Sequence, residues 1–332
     1  MPYTIWGAFD QFRKQTVDLD AEAVKRARAS RDYLFEQIQN LASKILGFPR
    51  LSGGYLSFGS FARKTKVQTL DDIDMLILIN GSGTRDNQST SDPYGSWLKI
   101  TASDAPLSAF PDQLGYVNST KVLNKIRDSL STVPQYSKAE IHKNQQAVTL
   151  DLLSYPWVFD VVPAVPVTDG NRTLYYLIPN GRGDWIRTDP RIDSDNISRT
   201  NTLHSGEFLP LMRLVKYWND RPVKPILGSY YFETLVIKVF SVAAQIKEYP
   251  EAIKYFFDAC PIYISGSCPD PKGLGPNLDA SYSAETKSKV IVAMQDDSKS
   301  AGYALMYKGM SDEKNAIYWW GRVFGSGFPT YG

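Results

Sequence analysis

The 332-residue chain carries 37 Lys and Arg against 35 Asp and Glu, a formal charge of +2, which speaks against a basic protein that grips long nucleic acid and favours a small anionic substrate. Two cysteines, Cys260 and Cys268, and two well-separated histidines, His142 and His204, exclude a disulfide framework and a thiolate-rich zinc site. No apolar run nears the roughly 18 residues of a membrane span, so no membrane partner is expected.

The opening MPYTIWGAFDQF lacks a secretory signal pattern, and a cytoplasmic location is expected. In residues 18 to 46, Val24, Ala27, Leu34, Ile38, Leu41 and Ile45 recur at three- and four-residue spacing. That periodicity predicts a long helix with one apolar stripe, capped by Asp18 or Asp20 and stopped by Gly47 and Pro49. YLSFG (55–59) and IDMLILI (73–79) read as strands, the second buried on both faces because its apolar run hardly alternates. Residues 80–96, rich in Gly, Ser, Asn and Asp, are expected to be an exposed loop.

A helix is expected near 119–131, then strands at 138–142, 147–153 and 157–162. YYLIPNGRGDWI (175–186) reads as two extended pieces around an Asn-Gly turn. From about 207 the spacing turns helical: EFLPLMRLVKYWND, SYYFETLVIKVFSVAAQIKEY and KSKVIVAMQDDSKSAGYALMYKG, with Pro222 and Pro225 separating the first two. The expected architecture is α+β: residues 1–205 as a mixed-sheet core with a long N-terminal spine helix that spans both halves, and residues 206–332 as a helical domain.

Asp72 and Asp74 stand two apart at the mouth of an apolar strand and so share a face. Two like charges beside a sheet are costly, and a divalent cation offsets that cost with hard oxygen donors already in place. An isolated DxD is more often a solvated turn, but this one has company. Gly59-Ser60 lies upstream, where backbone N–H groups and a hydroxyl can approach an anion. Asp160 sits inside PWVFDVVPAVP, an apolar strand where an acid needs a partner or a cation.

With these features in this order, GSFARKT, DIDMLILI and FDVVPA resemble the nucleotidyltransferase superfamily of poly(A) polymerases and oligoadenylate synthetases. LPLMRLVKYWN (209–219), SYYFETLV (229–236), the DP-x-NL loop (270–278) and WWGRVFGSGFP (319–329) narrow the resemblance to the bacterial CD-NTases, the cGAS/DncV-like group. It implies a Pol β-like fold in which Gly59 and Ser60 hold a triphosphate. Asp72, Asp74 and Asp160 would bind two Mg2+ ions, with Mn2+ able to substitute, and Asp151 is the runner-up for the third acid. Lys216 and Ser229 would reach the donor triphosphate, with Phe232 where relatives carry leucine.

The implied activity joins nucleoside triphosphates (ATP, GTP, UTP or CTP) into a cyclic di- or trinucleotide, releasing pyrophosphate. The product would be a second messenger in bacterial anti-phage (CBASS) signalling, received by a cyclic-nucleotide-activated effector, with the synthase monomeric. A tailing enzyme acting on RNA ends, or a non-cyclising oligonucleotide synthase, is the alternative within the superfamily. The Cys and His count cannot supply the zinc ribbon with which the family's animal sensor reads DNA. Asn180, Arg182, Trp185 and Asn277 could read or stack on a base, and could equally be turn or packing residues.

Overall fold

The computed structural model describes residues 1–87, 97–104 and 106–332. Two hydrophobic clusters organise it. The first lies beneath a sheet built from β1 (Leu51–Ser57), β2 (Asp72–Ile79), β5 (Glu140–Asn144), β6 (Ala147–Asp151) and β7 (Val158–Asp169), in the order β1-β2-β7-β6-β5. Only the β2–β7 pair in this sheet is parallel. The long β7 also pairs with β8 (Arg172–Pro179), which pairs with β9 (Trp185–Thr188). The Asn180-Gly181 turn between them has Gly181 at φ +83°, a conformation glycine adopts without steric cost.

Two helices cover one face of that sheet, α2 (Ala21–Lys44) and α4 (Ser119–Leu130). The Asp20 side chain caps α2 by accepting from the Ala23 N–H at 2.8 Å, and Ala27, Leu34, Phe35, Ile38 and Leu41 form its buried stripe. On β2, Ile73, Met75, Ile77 and Ile79 point into this cluster, while Leu76 belongs to a small cluster on the opposite face with Val162 and Ala164. Asp72 and Asp74 alternate with the first set and therefore stand on the second face, away from α2 and α4.

The second cluster is helical. It holds α6 (Phe208–Asn219), α7 (Ser229–Phe240), α8 (Tyr249–Ser265), α9 (Ala284–Gly309) and α10 (Glu313–Phe324). A helix absent from the expectation, α1 (Ile5–Phe12), lays Ile5, Ala8, Phe9 and Phe12 into this cluster at helical spacing. Phe12 packs edge-on against Tyr217 at 5.0 Å between ring centroids. The long α2 lays its stripe on the sheet and its Arg28 borders a cavity shared with Arg213 of α6, while α1 and the π-turn Arg13–Val17 that follows it pack into the helical cluster.

Other boundaries move too. Residues 84–87, expected in a loop, form β3 (Thr84–Asn87), which pairs with β4 (Lys99–Ala102) in a separate two-stranded sheet; a partner strand supplies the order that local composition does not. Residues 88–96 of that expected loop lie outside the described residues. The helix α5 (Pro190–Leu203) was also unforeseen, with Pro190 at its start and the Asp189 side chain as its cap. The stretch read as continuous helical spacing from 229 to 249 stops after Phe240, and a new helix begins at Tyr249 with Pro250 in its first turn.

Candidate active site

The parallel pairing of β2 and β7 places Asp74 directly opposite Asp160, and the next strand places Thr149 opposite Asp160. Side chains of directly paired residues share a face, so Asp74, Asp160 and Thr149 form one row, with Asp72 one pleat away. Thr149 Oγ1 donates to Asp160 Oδ1 at 2.5 Å and orients that carboxylate. Asp151 is exposed at the end of β6, opposite Val158, in the row of Asp72 but separated from it by β7.

Gly59 and Ser60 open a one-turn helix, α3 (Gly59–Ala62), that packs on the acidic row. Gly59 has φ +75°, and a Cβ there would lie 1.7 Å from Asp74 Oδ2. No other residue type fits. The Ser60 carbonyl accepts from the backbone N–H groups of Thr65 (2.9 Å) and Lys66 (3.1 Å), closing the segment Arg63-Lys64-Thr65-Lys66 back over α3.

The electrostatics of the row are unfavourable without a cation. Burial, and then the charges of Asp72 and Asp160, push the Asp74 carboxyl up to about 7, against the milder pull of Arg63 and Lys66. Burial and the Asp72 charge also raise Asp160, opposed by the Thr149 hydrogen bond and by His142. As they stand, no three His, Cys, Asp or Glu side chains among the described residues converge tightly enough to enclose an ion. Asp72 is turned onto Lys66 and Asp160 onto Thr149. The donor set nevertheless suits a hard divalent cation, being all carboxylate, partly desolvated and compensated only in part, by the Lys66 ammonium on Asp72.

Lys216 and Ser229 belong to the helical half. Lys216 is buried, and its Nζ donates to Glu233 Oε1 at 2.5 Å. Glu233 also accepts from Arg63 Nε and Nη2 at 3.1 and 3.0 Å and from Thr65 Oγ1 at 2.9 Å. Burial alone would raise its carboxyl, but the Arg63 and Lys216 charges hold it below the ordinary range. One acid thus joins α7 to α6 and to the turn after α3. Ser229 is exposed at the first residue of α7.

Glu233, Arg63, Lys66 and Thr149 were not anticipated as site residues. Glu233 did leave a trace: an acid amid the apolar SYYFETLV must find a partner. Beside it, Tyr230 donates to Asp193 at 2.7 Å and lies 3.2 Å from Asp270, at the edge of a cavity of about 400 Å3 between α5, α7 and the 269–271 loop. Of the base-reading candidates, Trp185 is fully buried and donates to the Val117 carbonyl, and Asn180 caps its own turn through the N–H groups of Arg182 and Asp184. Arg182 and Asn277 remain exposed. His204 is a packing residue, bonded to the Phe240 carbonyl and the Ile246 N–H.

No protein-family model matches the chain. It is 37% identical over 335 residues to a Bacillus cereus protein named probable cyclic nucleotide synthase, a match spanning all of this chain and 99% of that protein. Among solved structures, Escherichia coli CdnC with ATP superposes with a TM-score of 0.69 at 18% identity, covering 97% of this chain and 98% of that one. Vibrio cholerae DncV, a cyclic AMP-GMP synthase held with a linear intermediate, superposes at 0.68 and 12% identity, covering 99% and 97%. The two structural matches speak for the fold, and the Bacillus relative for the family.

Proposed function

This chain belongs to the bacterial CD-NTase family of cGAS/DncV-like nucleotidyltransferases, and from that premise we propose that it links nucleoside triphosphates into a cyclic di- or trinucleotide with release of pyrophosphate. The observation that supports this most is the register that sets Asp74 against Asp160, with Gly59 pressed onto the Asp74 carboxylate.

In this reading Asp72, Asp74 and Asp160 hold the divalent cations, and the Gly59-Ser60 backbone and Ser60 hydroxyl receive the donor triphosphate. Magnesium, when bound, supplies the positive charge that eases deprotonation of an attacking hydroxyl and steadies the departing pyrophosphate. Thr149 keeps the Asp160 carboxylate in one orientation, so that the acceptor hydroxyl always meets it from the same side. Glu233 ties the Lys216 ammonium and the Arg63 guanidinium to one point, where together they present net positive charge toward the triphosphate. Ser229, exposed at the start of α7, adds a hydroxyl to the same group.

We assign residues 1–205 to the nucleotidyltransferase core and 206–332 to the helical domain, with residues 5–17 tethering the two by packing into the helical cluster. ATP, as in the CdnC complex, is the first donor to test. The product would serve as a messenger for a downstream effector in anti-phage defence, made by a monomer in the cytoplasm; no helix among the described residues is long and apolar enough to cross a membrane. Incubation with labelled nucleotides, Mg2+ and no RNA primer tests the reading. A phosphatase-resistant product, sized by mass spectrometry, is expected. Only linear or primer-dependent products would place the chain among the non-cyclising or tailing enzymes.

A further inference from the structure

We propose that Lys66 is an internal counter-ion that occupies the acidic row and must be displaced before a divalent cation binds Asp72. This inference rests on the assignment of Asp72, Asp74 and Asp160 as cation ligands.

The Lys66 side chain is only 15% exposed, and its ammonium bridges the carboxylates of Asp71 and Asp72. Its root is fixed beside the phosphate-binding turn, because the Lys66 N–H donates to the Ser60 carbonyl at 3.1 Å. Asp220 and Asp74 also lie within electrostatic reach of the ammonium, but the carboxylates it contacts are those of Asp71 and Asp72. On its other side lies a cavity of about 240 Å3 whose lining includes Arg28, Lys64 and Arg213. The one acid there, Asp18, is already engaged by Arg13 at 3.3 Å and Arg213 at 2.7 Å. Repulsion on one side and carboxylates on the other drive Lys66 onto Asp72.

A like-charged carboxylate row in a partly desolvated cleft needs positive charge in every state of the cycle. Lys66 supplies it before substrate arrives. A cation entering alone must break the Lys66–Asp72 pair, whereas one entering with a triphosphate brings oxygens that can take over the displaced ammonium. Lys66 thereby makes cation binding depend on nucleotide binding, and it guards the acids against capture of a free metal ion.

The test reads metal binding directly, without nucleotide or turnover: titration of the intact protein with Mn2+, followed by the loss of the free-ion signal in electron paramagnetic resonance. Lys66→Met should bind Mn2+ about tenfold more tightly than wild type, the equivalent of one charge-assisted contact removed. Lys66→Arg keeps the pair and should stay within about twofold of wild type. Lys64→Met deletes the same charge two residues away, without touching the acids, and should also stay within about twofold.

If Lys66→Met binds no more tightly, or if Lys64→Met tightens binding equally, the counter-ion role is wrong while the metal assignment stands. If wild type binds Mn2+ and Asp74→Asn binds it as well, the metal assignment falls and the inference falls with it. Thermal unfolding of each variant shows whether it is folded, and Lys66→Gln replaces the Met variant should that one fail to fold.

Discussion

Oδ2 of Asp74 stands where a side chain on residue 59 would have to be: a Cβ built on Gly59 lies 1.7 Å from that oxygen and 2.6 Å from the carboxyl carbon. Two segments that are separate in sequence, the turn at 59–60 and the strand from 72, are therefore held at a distance only a glycine allows. The carboxylate that the turn touches is also the one directly opposite Asp160. A shift of either element disturbs both the Gly59-Ser60 turn and the acidic row.

Gly59→Ala should consequently lower product formation by at least about a hundredfold, the scale of loss that small misplacement of reacting groups causes. It should also cost stability, about 1–2 kcal/mol from the left-handed backbone alone. Gly54→Ala, in β1 with no atom within 4 Å of the added carbon, is the control. Parallel assays and thermal melts decide the matter, and equal activity in the two variants would remove Gly59 from the site.

The Asp74 carboxyl, lifted to about 7 by burial and then by Asp72 and Asp160, gives a pH dependence of definite sign. A carboxyl that holds its proton more tightly folded than unfolded stabilises the fold at low pH, and that contribution is lost as pH rises to the folded value. Metal-free protein should lose stability between about pH 4 and pH 7. Asp74→Asn, which never ionises, should lack that fall and form no product. Unfolding in a chelator across this range checks it; identical slopes in the two proteins would count against the shift.

Glu233→Gln should destabilise the protein by about 3 kcal/mol, because Arg63 and Lys216 would be left buried around a neutral amide. The exposed Lys289–Glu285 pair on α9 offers the contrast, and Lys289→Ala should change stability by less than about 0.5 kcal/mol. Denaturant titration of the two variants separates the predictions. A Glu233→Gln protein as stable as wild type would mean that the ion cluster contributes no net stability.

Ser229→Ala should leave stability unchanged within about 0.5 kcal/mol, as expected for an exposed helix-start residue. It should raise the KM for the donor nucleotide about tenfold, the worth of one hydrogen bond to a charged group. Lys216→Met should lower stability and nucleotide affinity together, since the same ammonium satisfies Glu233. If Ser229→Ala leaves KM unmoved, that hydroxyl does not face the triphosphate.

The sequence alone determined what depends on neighbours along the chain. The stripe of α2, a cap from Asp18 or Asp20, the strand DIDMLILI, the Asn-Gly hairpin and the pairing of Asp72 with Asp74 on one face follow from periodicity, turn chemistry and the two-residue repeat of a strand. Asp160 was legible because an acid amid Phe159, Val161 and Val162 demands a partner. Even α1 carried its signal, Ile5, Ala8, Phe9 and Phe12, though in a stretch too short to stand out.

Only the tertiary structure decided which distant groups meet. The register that matches Asp74 with Asp160 is set by packing both strands over one core, and a slip of one residue would turn the acids to the other face. The partners of Lys66, of Lys216 and of Glu233, and the packing of α1 into the helical cluster, were settled in the same way. Local propensity weighs a residue against its immediate neighbours, whereas desolvation, charge pairing and close packing act between atoms brought together from distant parts of the chain. Those energies do not exist until the fold has formed.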